Sequence, residues 1–330
     1  MQWDALAAEE ALSRLAGYPG RKILFLGDSV MVGEDLPFPE TVPGQLETKL
    51  RAQFTDESFT VSDLAMAASR LGDTYAMLVK ASATHPDIVV VEINYQMFSR
   101  AQADEQPFRY PYLRTAVDRT STYQQMAARL KLPLSDSRGD ALIHFTQEIW
   151  ALYRFRELVD GLIFQGTPLD RLHGARPSPI AATREPQPGQ ARQLLPWHLR
   201  HVDVQQTVGA AYDNDPLDSF PNPALFFARE LVRFLNAHEI RALVFLTPLN
   251  HVMLRQYIDT AAFDVNVRRI DALFSGQGFI YRNYQDLLSG DLFTDDDHLT
   301  SAGSARLAEV LFRDVEEYFE SVLGKEEHSP

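Results

Sequence analysis

A serine and a histidine near opposite ends of the chain carry the strongest chemical signal. Ser29 follows the apolar run Lys22–Leu26 through Gly27 and Asp28. A serine at the carboxyl end of a buried strand, opening a helix, lies next to free backbone N–H groups. Such groups can hold the oxygen of a carbonyl that the serine hydroxyl attacks. The alternative is that Asp28 or Ser29 only caps a helix.

The histidine lies in the run Asp295-Asp296-Asp297-His298-Leu299, just before the last amphipathic segment. A histidine acts as a general base when an acceptor holds its second ring nitrogen. Asp295, three residues earlier on a tight turn, has the spacing for this, whereas Asp296 and Asp297 are expected to be solvated or to cap the next helix. An acidic run with one histidine can also bind a metal, but no second imidazole lies at ligand spacing, so no metal is predicted.

Two further side chains follow apolar runs. Asn94 ends the run 87–93, and an amide at the carboxyl edge of a strand can donate to an oxyanion, although asparagine is also a common turn residue there. His251 follows the run 241–246 and can reach the same edge as a substrate contact. A structural or solvated histidine is the alternative at this position.

The runs that precede these residues alternate with amphipathic segments. Strands are predicted at 22–26, 59–64, 87–93, 241–246 and 278–281, and the last of these has the weakest pattern. Helical spacing relates Leu46, Leu50 and Phe54; Leu225, Leu231, Val232 and Leu235; and Leu307, Leu311, Val315, Phe319 and Val322. This alternation predicts a parallel sheet covered by helices on both faces, with all strand-to-helix loops at one edge.

The alternation stops between about Phe98 and Phe220. A helical part is predicted from about 140 to 164, and in the stretch from 168 to 201 the five prolines between 177 and 196 exclude regular structure. We interpret residues 98–220 as an insertion in a single domain that spans 1–330. The insertion is either a solvated loop packed on the body or a lid or docking segment.

Composition narrows the classes of partner. The chain has 330 residues, a formal net charge of -14 and no cysteine. The negative charge disfavours nucleic acid and anionic membrane surfaces, and the missing cysteines exclude disulfides and thiolate chemistry. The amino terminus as written lacks a basic signal region, and no apolar stretch is long enough to span a membrane. A cytoplasmic location is therefore expected, unless a targeting or anchor segment has been removed.

Taken together, the motifs resemble the SGNH/GDSL hydrolases. The resemblance lies in Gly27-Asp28-Ser29, in Asn94 after a middle strand, and in Asp295-Asp296-Asp297-His298-Leu299 before the last helix. It covers about residues 21–100 and 223–325. It implies a flavodoxin-like three-layer α/β/α fold and chemistry on acyl esters.

Carried onto this chain, the resemblance implies that Ser29 is the nucleophile and Asp295 and His298 are the acid and base. The oxyanion donors would be the Ser29 N–H and the Asn94 side chain, and no cofactor would be needed. The second family block falls on residues 64–73, where Ala68 or Ser69 replaces the expected oxyanion glycine. A backbone N–H from that turn can still complete the oxyanion hole.

Two departures from the family pattern lie close to the nucleophile. Val30 replaces the usual leucine after the serine and is expected to be harmless. Glu92 replaces the glycine that normally precedes the asparagine by two. We expect Glu92 to narrow the pocket or to add a charge near it, and both Glu92 and Asp28 to be substrate-binding residues.

Three functions follow from these residues. The first is a serine esterase that forms a covalent acyl-Ser29 intermediate on a small-molecule or glycan ester. The second is an O-acyltransferase that uses a sugar or alcohol acceptor or an acyl carrier protein; the arginines of the insertion and a looser likeness of 150–156 to O-acyl and D-alanyl transfer proteins favour it. The third is a non-catalytic binding module, for which Glu92 and the missing glycine would be signs of decay.

Overall fold

The computed structural model describes residues 5–33, 36–103, 107–110, 113, 116–117, 121–130, 196 and 208–323. One five-stranded sheet forms the centre of this part of the chain, and every neighbouring pair of strands is parallel. The strand order β2-β1-β3-β4-β5 is that of flavodoxin-like folds. The strands are β1 (Arg21–Leu26), β2 (Phe59–Asp63), β3 (Ile88–Ile93), β4 (Ala242–Leu246) and β5 (Ile280–Asn283).

Helices cover both faces of the sheet, so the predicted α/β sandwich with a five-stranded parallel sheet is confirmed. The described α-helices are α1 (Ala5–Ala16), α2 (Ser29–Val32), α3 (Val42–Gln53), α4 (Leu71–Ser82), α5 (Arg100–Ala103), α6 (Ser121–Leu130), α7 (Pro223–Ala237), α8 (His251–Ile258), α9 (Ala261–Phe274) and α10 (Ser301–Leu323). Single 3-10 turns lie at Phe38–Glu40, Tyr95–Phe98, Gly209–Tyr212 and Gly290–Leu292.

The strands distribute their side chains between two cores. In β3, Val89, Val91 and Ile93 pack on the face covered by α4, α7 and α9, while Ile88 and Val90 pack on the face covered by α3 and α10. All six residues of β3 are buried. Each fully buried aliphatic side chain contributes about 1.5–3 kcal/mol, so this central strand contributes strongly to the stability of the sheet.

The bounds of the five predicted strands agree with the observed ones to within two residues. The least certain strand, predicted at 278–281, begins two residues later, at Ile280. Helix α3 ends at Gln53, so Phe54 is its C-cap residue and lies just outside the predicted face. The helical spacings near 225–235 and 307–315 both correspond to buried helix faces.

Parts of the predicted insertion are described and contribute to the core. Leu113, Val117 and Met126 are buried in the same core as α4 and α7, as is Tyr212 where the chain returns to the sheet. Three predicted features lie outside the described residues: the helix at 140–164, the segment 150–156 within it, and the proline-bearing stretch at 168–201. Pro196 is the one described residue of that stretch. The role of 98–220 as a lid or docking segment therefore stays a prediction.

Among the helices that the structure describes, none combines the length and apolarity needed to cross a bilayer.

Candidate active site

Ser29 stands at a strand-to-helix junction at the carboxyl edge of the sheet. Strand β1 ends at Leu26, and Ser29 is the first residue of the short helix α2. The Asp28 carboxylate caps this helix by accepting the Val30 N–H at 2.9 Å. Helix α2 ends after one turn at Gly33, whose φ of 63° lies in the left-handed region that glycine adopts without strain. The junction thus fixes the position of the serine hydroxyl.

The histidine lies on a closed turn in front of α10. The Thr294 N–H donates to the His298 carbonyl at 2.8 Å, and the neighbouring pair Phe293 and Leu299 forms an isolated antiparallel bridge. Inside the turn, Asp295 Oδ1 accepts the backbone N–H of His298 at 2.8 Å. The sequence thus folds this turn locally, with the carboxylate of Asp295 at its centre.

The loop after β4 attaches this turn to the sheet. The Asn250 amide nitrogen donates to the Asp295 carbonyl at 2.8 Å, and the Asn250 backbone N–H donates to the Asp296 carbonyl at 2.9 Å. Asn250 is fully buried. These two bonds place the histidine turn beside the carboxyl end of β1, where Ser29 lies.

Three of the predicted residues lie in one hydrogen-bonded line. His298 Nε2 is 2.8 Å from Ser29 Oγ, and His298 Nδ1 is 3.0 Å from each carboxylate oxygen of Asp295. Nε2 can therefore accept the serine proton while Asp295 holds the proton on Nδ1. This is the arrangement that general-base activation of a serine requires.

The predicted oxyanion donors differ in their availability. Among the described residues, none accepts a hydrogen bond from the backbone N–H of Ser29 or of Ala68. Ser69 donates its N–H to the Met66 carbonyl at 3.0 Å and its hydroxyl to the Gly27 carbonyl at 2.9 Å. Of the two residues that the sequence left open, the geometry favours Ala68 as the donor, since the Ser69 groups are occupied.

Asn94 lies at the end of β3 as predicted, but its amide is occupied. Its Nδ2 donates to Asp28 Oδ2 at 3.0 Å and to Asp297 Oδ2 at 2.7 Å, while its Oδ1 accepts the Gln96 N–H at 3.1 Å. Both amide hydrogens are thus used by carboxylates. For Asn94 to bind an oxyanion, one of these bonds has to be exchanged.

The expectation that Asp296 and Asp297 are solvated is wrong. Their exposed fractions are 6% and 4%, and both belong to a buried polar network. Gln96 donates its side-chain amide to Asp296 at 2.8 Å and to Asp297 at 3.0 Å, and the Tyr212 hydroxyl donates to Asp296 at 3.3 Å. Asp297 Oδ1 is also 3.1 Å from His298 Nδ1, so a second carboxylate contacts the predicted base.

Glu92 has a structural position and does not line a cleft, in contrast to the sequence-based expectation. Its side chain is fully buried. It accepts the Asp28 N–H at 2.8 Å and the hydroxyl of Thr247 at the end of β4. Glu92 therefore ties together the carboxyl ends of β1, β3 and β4. Asp28 likewise uses its carboxylate on Val30 and Asn94, so neither side chain is placed to bind substrate.

Burial governs the protonation of the surrounding carboxyl groups. Burial, with the Asp297 charge adding to it, raises the pKa of Asp28 to about 6 and that of Asp296 to about 8. Burial and then the Asp28 charge raise the pKa of Glu92 well above its usual value. Near pH 7, Asp296 therefore holds a proton, and burial favours the neutral form of Glu92, so repulsion within the cluster is reduced.

The base and its partner carboxylate show the opposite balance. Burial acts to lower the pKa of His298, but the charges and hydrogen bonds of Asp297 and Asp295 outweigh it, and the pKa lies well above its usual value. Burial acts to raise the pKa of Asp295, but its bonds from His298 outweigh this and lower the pKa. The cluster thus stabilises the protonated imidazole of His298 next to the ionised carboxylate of Asp295.

His251 lies apart from the serine, at a separate polar cavity. The cavity has a volume of about 510 Å³, and its lining includes His251, Gln285 and Asp286 but neither Ser29 nor His298. His251 Nε2 is 2.9 Å from Asp286 Oδ1. The cavity lies at the same edge of the sheet, between the loops that follow β4 and β5. Contact of His251 with substrate remains a prediction.

Asp295, Asp297 and His298 are also the described residues with the closest resemblance to a metal site. Their ligand atoms lie within 4.8 Å of one another. However, the distances from Nδ1 to the carboxylates, 3.0–3.1 Å, are hydrogen-bond lengths, and the second oxygen of Asp297 is bonded to the Asn94 and Gln96 amides. The arrangement fits a hydrogen-bonded relay better than a cation.

Comparison with known proteins adds neighbours in structure only. No family profile matches the chain, and no curated protein is significantly similar to it. Similar solved structures include TesA, at 12% identity and a TM-score of 0.41 over 90% of this chain and 99% of that one. They also include a mutant of Axe2, an acetyl-xylooligosaccharide esterase from Geobacillus. It matches at 12% identity and a TM-score of 0.42, over 90% of this chain and 94% of that one.

A GDSL-like lipase from Parabacteroides merdae matches at 10% identity and a TM-score of 0.38, over 88% of this chain and 93% of that one. All three TM-scores lie below 0.5, so the fold assignment depends on the observed strand order and the site on its own geometry.

Proposed function

We propose that the chain is an ester hydrolase that acts through a covalent acyl-Ser29 intermediate. The observation that supports this most directly is the 2.8 Å contact between Ser29 Oγ and His298 Nε2, with Asp295 on the other ring nitrogen. A serine hydroxyl becomes a useful nucleophile only next to a base that is itself oriented, and this arrangement supplies both.

In the first half-reaction, His298 Nε2 takes the Ser29 proton as the serine oxygen attacks the ester carbonyl. The bond from Ser29 Oγ to the carbonyl carbon forms, and the carbonyl electron pair moves onto the oxygen. In this proposal the backbone N–H groups of Ser29 and Ala68, which have no acceptor among the described residues, donate to that oxyanion. His298 then returns its proton to the leaving alcohol as the original ester bond breaks.

In the second half-reaction, water repeats this sequence. His298 removes a proton from water, the hydroxide attacks the acyl carbon, and the bond to Ser29 Oγ breaks as His298 returns the proton to it. Asp295 keeps the imidazole in one tautomer throughout and stabilises the imidazolium, without itself becoming protonated.

The first test is loss of the nucleophile. Ser29→Ala should abolish hydrolysis of p-nitrophenyl acetate and labelling by a fluorophosphonate, because it removes the hydroxyl that His298 Nε2 contacts at 2.8 Å. Ser275→Ala is the matched control, since this exposed serine follows α9 at the opposite edge of the sheet. Undiminished labelling of Ser29→Ala would exclude Ser29 as the nucleophile.

The acyl acceptor is tested through the product. With water as the acceptor, single-turnover experiments should release free acid at the rate at which the labelled acyl-serine decays. If the acyl group instead appears on an added sugar, alcohol or carrier thiol while little free acid forms, the same serine chemistry serves transfer and not hydrolysis.

A further inference from the structure

Asp297 connects two parts of the site that sequence motifs treat separately. One of its oxygens is 3.1 Å from His298 Nδ1, and the other accepts the Asn94 amide at 2.7 Å and the Gln96 amide at 3.0 Å. The side chain is 4% exposed, so water cannot replace these partners easily.

Nδ1 carries one proton, but two carboxylates lie within hydrogen-bond distance of it. Asp295 is at 3.0 Å and Asp297 at 3.1 Å. Asp295 also accepts the backbone N–H groups of Asp297 and His298, so it shapes the turn. Asp297 makes no such turn bond and is instead anchored to the end of β3 through Asn94. The two acids belong to the same turn, but one side chain is fixed by backbone groups of the turn and the other by the end of β3.

We propose that Asp297 is a positioning residue that shares the Nδ1 proton of His298 with Asp295 and links the base to the Asn94 amide. This inference rests on the proposed function, because it assigns how the base of that reaction is held. When His298 takes the Ser29 proton, the imidazolium faces two carboxylates. If either acid is neutralised, the other can still hold the productive tautomer.

Other charged groups near the imidazole come from several elements. Asp28, at the end of β1, interacts electrostatically with His298, as does Asp296 on the histidine turn. Glu92 on β3 interacts with Asp28 and Asp297, and burial raises its pKa well above the usual value. Asp296 is the matched control for Asp297, since it is an equally buried neighbour and no hydrogen bond to the imidazole is seen in the structure.

The first experiment needs no turnover. In chain labelled with ¹⁵N-histidine and carrying Ser29→Ala, the His298 pKa is measured by NMR, with the resonance assigned from a His298→Gln sample. Asp297→Asn should lower this pKa by about one unit or more, because an opposite charge in contact is removed. Asp296→Asn should lower it clearly less, since Asp296 interacts with the imidazole electrostatically but makes no hydrogen bond to it in the structure. An unchanged pKa in Asp297→Asn would overturn the proposal.

The second experiment uses kinetics. In a triad with one acid, replacing aspartate with asparagine lowers kcat by about 10⁴-fold. Here we expect Asp295→Asn and Asp297→Asn each to lose less than about 10²-fold, and the double variant to lose about 10⁴-fold, a non-additive result. The acid limb of the kcat/KM profile should move to lower pH in each single variant. A double variant no slower than Asp295→Asn alone would show that Asp297 is a spectator.

Further variants distinguish these outcomes from misfolding and from failure of the proposed hydrolase function. Asp297→Glu keeps a charge and should retain the raised His298 pKa, whereas a role in packing alone predicts that Asp297→Glu is as defective as Asp297→Asn. If Asp297→Asn does not fold, Asp297→Ser provides the same neutral comparison. If the unmodified chain hydrolyses no ester, the proposed function fails, while the NMR result still decides whether Asp297 holds the imidazole.

Discussion

At the residue scale, the Asn94 amide shows how its partners constrain a buried polar group. Both of its hydrogens are donated to carboxylates, those of Asp28 and Asp297, and its oxygen accepts the Gln96 N–H. The side chain is 2% exposed. By donating to both carboxylates, Asn94 reduces the repulsion between Asp28 and Asp297, which are far apart in the sequence.

Asn94→Ala should consequently reduce stability as well as activity. Removing the amide leaves two buried carboxylates short of a donor, and each unsatisfied buried group costs about 1–3 kcal/mol. We expect the free energy of unfolding, measured with urea, to fall by at least about 1 kcal/mol. A residue that served only as an oxyanion donor would lower kcat and leave the urea midpoint in place.

Gln53→Ala is the control for this measurement, because an amide side chain is removed from an exposed position at the end of α3. Its change should stay within about 0.5 kcal/mol, as for most surface substitutions. Equal midpoints for the two variants would contradict the structural role assigned to Asn94.

Residue spacing was enough to predict that Ser29, Asp295 and His298 belong to one site, because each lies on a local turn next to a recognisable strand or helix. It was not enough for Asp297. The direction of that side chain depends on Asn250 and Asn94, which are distant in sequence and meet it only in the folded sheet. The one available signal was three consecutive acids beside a histidine, and this pattern is equally common on surfaces.

At the scale of elements, the junction between β1 and α2 depends on a close approach between strands. A Cβ placed on Gly27 would lie 2.5 Å from Glu92 Oε2 and 2.8 Å from Glu92 Cβ. Glu92 is itself fixed by the Asp28 N–H and the Thr247 hydroxyl. The glycine that precedes Asp28-Ser29 is therefore required by the neighbouring strand, in addition to any need of the turn itself.

Gly27→Ala should force β1 and β3 apart at the edge where Ser29 is held. We expect a loss of about 1–3 kcal/mol in stability, as for other overpacked core sites, and a lower kcat because the serine hydroxyl moves relative to His298. Thermal unfolding and p-nitrophenyl acetate turnover measure the two effects.

Gly17→Ala provides the matched comparison, since a Cβ there would meet only the Ser13 and Arg14 carbonyls, at 3.7 and 3.8 Å. It should change neither quantity appreciably. If both glycine variants behave alike, close packing against Glu92 does not constrain the junction.

The bounds of a strand or helix could be predicted where its residues are fully buried. The prediction was less accurate where contacts with residues distant in sequence set the bounds. The apolar run of β3 has buried residues on both faces, so composition alone identifies it. Strand β5 is at the edge of the sheet, with partly buried residues, and its pairing with β4 sets its start two residues later than its pattern suggests. Phe54 follows α3 as a C-cap, which helical spacing does not reveal.

At the scale of the whole molecule, several of the acidic side chains are buried inside the fold. Besides Asp28 and Asp296, burial raises the pKa of Asp63 to about 7 and that of Asp73 to about 6. These groups bind more protons in the folded than in the unfolded chain between about pH 4 and 8. Stability therefore falls as pH rises across this window. Repulsion from the net charge of -14 acts in the same direction.

The melting temperature should thus be higher at pH 5 than at pH 8 at constant ionic strength. His298 contributes with the same sign, because its pKa is raised in the folded chain and its stabilisation is lost as pH rises through that value. Calorimetry across this range checks the slope, and Asp296→Asn should flatten it. A melting temperature that rises from pH 5 to pH 8 would mean that the buried carboxyls are ionised in the native state.

The two bonds from Asn250 to the histidine turn have a consequence for how the site can vary. They fasten the turn to the loop after β4, so the central sheet holds the imidazole in addition to the start of α10. Substitutions along the outer face of that last helix can then change stability without displacing the base. Divergence between related chains should accumulate on α10 sooner than on the short segment between Thr294 and His298.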